Sequence, residues 1–196
     1  MPRRKVQFIQ GGYYHLYNRG AGRQPIFREP RNEDYLLRLL KRIAQECRLA
    51  VIAYCLLPNH YHWLVRQEGD VPAGKLPTRV LGSYTQAFNQ AYGRTGTLFE
   101  GPYQAIAVTT DVYLEHLCVY IHLNPVRHGL VDTPEAWVYS NYREWIGARD
   151  GTLVDRSFVR ERFGTPEAYR AHVQSVMNDE IAPPRGLQAY TFQEAC

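Results

Sequence analysis

Between Leu49 and Arg66 the chain reads LAVIAYCLLPNHYHWLVR, two β-branched and aromatic runs separated only by Pro58-Asn59. Such runs have the composition of buried strands, and Pro followed by Asn is a turn signal. A link this short joins antiparallel neighbours only, because parallel strands need a crossover of a dozen or more residues. Leu49 to Leu57 and His60 to Arg66 are therefore expected to form a hairpin.

Other elements arrange themselves around it. Tyr13 to Gly20, YYHLYNRG, alternates and closes on glycine, which predicts a first strand leading into a loop from Ala21 to Pro30. A helix is expected from Asn32 as its cap, with Glu33 and Asp34 in the first turn. Its apolar positions are Tyr35, Leu36, Leu39, Leu40, Ile43 and Cys47. After a Gly- and Pro-containing loop, Arg79 to Tyr92 carries Val80, Leu81, Tyr84, Ala87, Phe88 and Ala91 on one helical face, and Gly93 ends it. Gly101-Pro102 interrupts an extended stretch, leaving Gln104 to Val108 as a fourth strand. A third helix starts at Asp111 with the stripe Tyr113, Leu117, Tyr120 and Ile121, placing Glu115, His116 and His122 toward solvent. It is expected to stop near Asn124, since the residue before Pro125 is steered out of the α region.

The order β-α-β-β-α-β predicts an α+β fold, a ferredoxin-like or RRM-like antiparallel sheet with two helices on one face. The opposite face then needs a cover or a function. Residues 1–146 are expected to form one domain with the third helix added, and 147–196 a C-terminal extension packed in part on it. Within that extension a short helix is expected around Pro166 to Met177, and an extended or mobile tail from Ala182 to Cys196. Trp137 to Ile146 is aromatic enough to pack back on the core.

A 45% hydrophobic content suits one compact unit. No window approaches the ~18 apolar residues of a membrane span, and MPRRKVQFIQGG lacks a signal peptide's apolar core, so a soluble cytoplasmic protein is expected. Cys47, Cys55, Cys118 and Cys196 have neither disulfide nor zinc-knuckle spacing. The net charge of +4 permits a nucleic-acid partner without requiring one. Arginines in excess of lysines and 15 tyrosines point the same way, although tyrosines also simply build cores.

His60 and His62 lie at i and i+2 in a strand and project to one side, with Tyr61 and Trp63 on the other. Two imidazoles so placed can reach one cation, but as a pair they are equally ordinary hydrogen-bonded strand histidines. A third donor is available in YIHLNP, where Tyr120 and Asn124 at i and i+4 share a helix face. Asn124 can offer an amide oxygen to a metal and Tyr120 can stand beside it. Alternatively Tyr120 is core and Asn124 merely a helix-end residue before a proline. A set of two imidazoles and an oxygen donor with open positions suits Mg²⁺ or Mn²⁺ acting on a phosphate.

HYH after PN, followed by YIHLNPVRHGLV, resembles the single-tyrosine HUH transposases, most closely the branch associated with repetitive extragenic palindromes. YYHLYNRG, AYCLLPNHYHWLV, SYTQAFNQAYGRTGTLFEGPYQA, DVYLEHLCVYIHLNPVRHGLV and WVYSNYREW follow the family's order over roughly Tyr13 to Trp145. The resemblance implies His60 and His62 as the metal-binding pair, Asn124 as third ligand and Tyr120 as nucleophile. It also implies single-stranded or hairpin DNA as substrate, a divalent metal, and a monomer or homodimer. Arg19, Arg94 and Arg127 are candidate DNA contacts, with Arg3, Arg4 and Lys5 behind them. Pro102 and Gln104 depart from the family, where a basic residue is common in that stretch, and His128 replaces a small residue. His15 is expected as a hydrogen-bonded strand histidine near the site, whereas His116, His122 and His172 are remote from it. A relaxase or replication-initiator nickase would use the same chemistry, a zinc hydrolase would need no tyrosine, and a non-catalytic nucleic-acid-binding module could share the fold.

Overall fold

The computed structural model describes residues 6–178, so Arg3, Arg4, Lys5 and the tail from Ala182 lie outside the described residues. The chain forms β1 (Tyr13–Arg19), α1 (Pro30–Glu46), β2 (Leu49–Leu57), β3 (His60–Gln67), α2 (Lys75–Ala91), β4 (Gln104–Val108), α3 (Asp111–Arg127), α4 (Tyr142–Trp145), α5 (Arg156–Phe163) and α6 (Pro166–Met177). The four strands make one sheet in the order β2-β3-β1-β4, with every neighbour antiparallel. Leu57 pairs with His60, so Pro58 and Asn59 are the whole turn of the anticipated hairpin.

The pleat divides the side chains between two cores. On one face Tyr14, Leu16, Tyr54, Leu56, Tyr61 and Trp63 pack with Leu36, Leu40 and Ile43 of α1 and Val80, Tyr84 and Phe88 of α2. On the other, Ile52, Cys55, Leu57 and Leu64 pack with α3 and with Trp145, Phe158, Tyr169 and Val173. The face left open by the ferredoxin-like plan is thus covered by α3 and the segment through α6. Residues 147–178 share this second core with β2 and α3. Trp137 packs as anticipated, its indole donating to the Leu56 carbonyl at 2.9 Å.

Helix boundaries differ from the sequence expectations for identifiable reasons. Helix α1 starts at Pro30, where a proline costs no hydrogen bond, and Asn32 is the N3 partner of a capping box rather than the cap. Its Oδ1 accepts from the backbone N–H of Arg28 at 2.9 Å. Helix α2 begins at Lys75 and keeps Pro77 within its first turn. Helix α3 runs through Pro125 to Arg127. An internal proline costs ~3 kcal/mol or more. Here it falls in the last turn of a helix whose residues from Leu117 to Pro125 are all buried, and that burial outweighs one lost bond. The same burial corrects the placement of His122. Packed between the sheet and the segment through α6, α3 has no solvent face there, and His122 is fully buried. Helix α5 was not anticipated; Asp155 caps it by accepting from Phe158 N–H at 2.9 Å.

Gly20 ties β1 to the hairpin turn, donating its N–H to the Asn59 carbonyl at 2.7 Å. A Cβ there would stand 2.0 Å from the Gln24 carbonyl oxygen and 3.0 Å from Ile26 Cγ2. Gly20→Ala must therefore push the 21–27 loop off the turn, and urea unfolding should show a loss of about 1–3 kcal/mol, as for other overpacked sites.

Candidate active site

Strand β3 presents His60 and His62 on the face that α3 crosses, opposite Arg19 and Tyr17 of β1. Tyr120 and Asn124, one turn apart on α3, both meet this pair. The Tyr120 and His62 rings are edge-on with centroids 5.6 Å apart. Asn124 hydrogen-bonds His60. Its Nδ2 donates to the Tyr120 carbonyl at 3.1 Å, which leaves Oδ1 as the atom turned to the imidazole. The four groups singled out from sequence thus converge within one chain. Tyr120 keeps only 6% exposure, and the Arg127 guanidinium lies over its ring at 5.2 Å.

His15 is the hydrogen-bonded strand histidine expected near the site, whereas the contacts of Asn59 and His128 escaped sequence reading. His15 Nε2 is 2.9 Å from His62 Nδ1, and Tyr17 stacks on His15. Asn59 Oδ1 is 2.7 Å from His60 Nδ1. The His128 ring meets His60 at 4.9 Å. The signal for His15 and Tyr17 was their alternation along β1. Nothing local could have revealed His128, which depends on α3 continuing past Pro125.

The remaining candidates differ in placement, Arg19 standing opposite His60 and the others away from the pair. Arg19 is held by Glu100, with Nη2 at 3.2 Å from Oε1 and Nε on Oε2. Arg94 lies over Phe88, in the core on the opposite side of the sheet, and is not brought to the site. Gln104 is exposed on β4, paired with Tyr17. Tyr113 precedes Tyr120 by seven residues, about 10 Å along the helix axis. His172 packs by Phe163 of α5, and His116 is lowered by burial and then by His172, both apart from the pair.

Burial dominates the electrostatics. It lowers His15 to about 3. It lowers His60 to about 4, helped by the charges of His128 and Arg19 and opposed by the Asn124 hydrogen bond. His62 is pushed well below the ordinary histidine range by burial and then by its three histidine neighbours. At neutral pH these rings are uncharged, the state a metal ligand requires. Among the described residues no three His, Cys, Asp or Glu side chains gather into a metal site; beside the histidine pair the Asn124 amide could offer an oxygen donor. The fit is chemical as well as spatial. His60 has an amide oxygen at Nδ1 and another facing it from Asn124, yet a neutral ring donates only once. A cation bound at Nε2 would leave the single ring proton to Nδ1 and Asn59, and Asn124 Oδ1 could then serve as an oxygen donor to it.

The same burial makes stability depend on pH. Folded values of about 3 for His15 and about 4 for His60 and His122 lie below the unfolded ~6.5, so the unfolded chain binds more protons. Stability contributed by the neutral rings is complete above pH ~6.5 and is lost as pH falls from there toward 4. Each ring adds a slope of up to ~1.4 kcal/mol per pH unit. Urea titrations of the metal-free protein at pH 7.5, 6 and 5 should show the steepest loss below 6.

The fold and the site define a ferredoxin-like protein carrying a tyrosine helix on a histidine-bearing strand. The chain belongs to the IS200-like transposase family, whose sequence profile matches residues 9–124. A candidate REP-associated tyrosine transposase of Haemophilus influenzae is 27% identical over 129 residues, covering 59% of this chain and 73% of that protein. The solved structure of a REP-associated tyrosine transposase bound to a REP hairpin superposes with a TM-score of 0.63 at 18% identity, covering 80% of this chain and 98% of that one. It confirms the fold. No helix among the described residues is long and apolar enough to cross a membrane.

Proposed function

We propose that this transposase cuts and rejoins single-stranded DNA through Tyr120, with Mg²⁺ or Mn²⁺ held by His60, His62 and Asn124. The observation that carries the proposal is the docking of the Tyr120 and Asn124 face of α3 on the histidine pair of the same chain. The structural relative was solved on a hairpin, which supports a substrate in which a folded element lies beside single-stranded DNA. A backbone must be outside a duplex to reach a phenol buried to this degree.

In the first step the Tyr120 oxygen bonds to the scissile phosphorus and the P–O3′ bond breaks. The phenol proton leaves, the DNA 3′ oxygen gains one, and a 5′-phosphotyrosyl link and a free 3′-hydroxyl result. The bound metal supplies charge withdrawal from the phosphate oxygens. The chain's own residues do the rest. A phenol with an ordinary pKa of ~10 is a poor nucleophile at neutral pH. Arg127 over the ring sets a positive charge beside the phenol, where it favours negative charge developing on the oxygen. Packing against His62 fixes the phenol direction, the positioning term of catalysis. A second strand's 3′-hydroxyl attacking the same phosphorus restores a phosphodiester and frees Tyr120, with no nucleotide hydrolysis.

A non-catalytic single-strand reader needs aromatic faces open on the sheet. Here Tyr61 and Trp63 are fully buried under the helices, and α3 covers the other face. A labelled hairpin with single-stranded flanks, incubated with Mn²⁺, should yield a protein–DNA adduct that survives denaturation. Joining of a second strand distinguishes a transposase from a simple nickase. His60→Ala should reduce the adduct at least tenfold; undiminished adduct formation would contradict the metal assignment.

A further inference from the structure

We infer that Asn59 and His15 are positioning residues that hold the proton on Nδ1 of His60 and His62, so that both Nε2 lone pairs point at one cation. The inference rests on the metal reading above and deepens it.

The hydrogen bonds decide which atom faces which. Asn59 Nδ2 donates to the Arg23 carbonyl at 3.1 Å. A flipped amide would set two oxygens against each other, so Oδ1 is the atom 2.7 Å from His60 Nδ1. That oxygen can only accept, so it favours the proton on Nδ1 and competes for it with Asn124 Oδ1, which favours Nε2–H. Free imidazole has no such constraint; a nearby acceptor selects the tautomer. The Arg23 carbonyl is itself fixed, because the 21–27 loop is pinned to the turn by Ile26 N–H donating to the Pro58 carbonyl at 2.8 Å. A chain of bonds therefore runs from the loop through Asn59 to one nitrogen.

At His62 the acceptor is another imidazole. His15 Nε2 and His62 Nδ1 share one proton at 2.9 Å. If His15 donates, His62 carries its own proton on Nε2 and cannot ligate. If His62 donates, Nε2 is bare and His15 is protonated at Nδ1, which is buried and has no hydrogen-bond partner among the described residues. A cation selects the second arrangement, and stacking of Tyr17 on His15 keeps the ring in place for it. Partners of this kind behind ligating histidines change metal affinity by roughly 10–100-fold.

The test uses the full chain. Nitrogen-15 NMR of the histidine rings without metal reads the tautomers directly, and Mn²⁺ titration followed by electron paramagnetic resonance reads affinity. Wild type should show a larger share of the Nδ1–H tautomer at His60 than Asn59→Leu does. Asn59→Leu should move the ring toward Nε2–H and weaken Mn²⁺ binding roughly 10–100-fold. Asn59→Asp, which keeps an acceptor but turns its second oxygen to the Arg23 carbonyl, should restore part of the Nδ1–H signal. His15→Gln, whose amide oxygen can replace the accepting nitrogen, should bind Mn²⁺ more tightly than His15→Leu. The Asn59 backbone carbonyl still receives Gly20 N–H in every variant, so the turn itself is retained. An unchanged tautomer population in Asn59→Leu overturns the inference. Failure of wild type to bind Mn²⁺ overturns the metal reading instead, while the tautomer signals still decide the role of Asn59.

Discussion

Tyr120→Phe should abolish the covalent protein–DNA adduct, a loss of at least a thousandfold, while leaving hairpin binding within about twofold. The substitution deletes one oxygen. Its ring keeps the edge contact with His62 and the position under Arg127. Denaturant unfolding of the variant checks that lost activity is not lost folding of this buried position. A gel-shift assay measures binding and a denaturing gel measures the adduct on the same sample. Persistence of the adduct would direct attention to Tyr17, which is stacked beside His62 on the same side of the sheet.

The largest stability effect is expected away from the chemistry, at Asn141. Its Oδ1 accepts from Tyr54 N–H at 2.8 Å and from His122 Nε2 at 3.0 Å, and its Nδ2 donates to the Ile52 carbonyl at 2.8 Å. His122 Nδ1 in turn takes the Tyr169 hydroxyl at 2.6 Å. One amide thus joins β2, the tyrosine helix and α6 inside the second core. Asn141→Leu preserves volume but strands the Tyr54 N–H and the His122 ring nitrogen; the Ile52 carbonyl keeps the Trp145 indole at 3.3 Å. Two buried groups left unpaired cost about 2–6 kcal/mol together. Denaturant unfolding should show that loss, and the adduct-forming activity should fall at temperatures where wild type is unaffected. A loss under about 0.5 kcal/mol, the range of inconsequential surface changes, would contradict this role.

Much of the architecture follows from periods shorter than one element. Alternation in YYHLYNR and HYHWLVR, a two-residue turn and helical stripes in α1 and α2 are enough to specify the sheet order and the two helices beneath it. Within the site, the same periods pair His60 with His62 and Tyr120 with Asn124. What they cannot supply is the meeting of the two pairs, because helix α3 and strand β3 touch only in three dimensions. The family resemblance bridged that gap. The misreadings share one cause. A single apolar stripe was assumed for α3, whereas it is sandwiched between the sheet and the segment through α6, which buries His122 and carries the helix past Pro125. His128 reaches His60 for the same reason.

The most direct measurement is the identity of the residue that carries DNA. Wild-type protein is incubated with a single-stranded oligonucleotide flanking a hairpin and Mn²⁺, the adduct is digested with trypsin and nuclease, and the modified peptide is sequenced by mass spectrometry. The account predicts a nucleotide joined through its 5′-phosphate to Tyr120, with a free 3′-hydroxyl on the released strand. A nucleotide on any other residue, or cleaved DNA with no adduct at all, would contradict it.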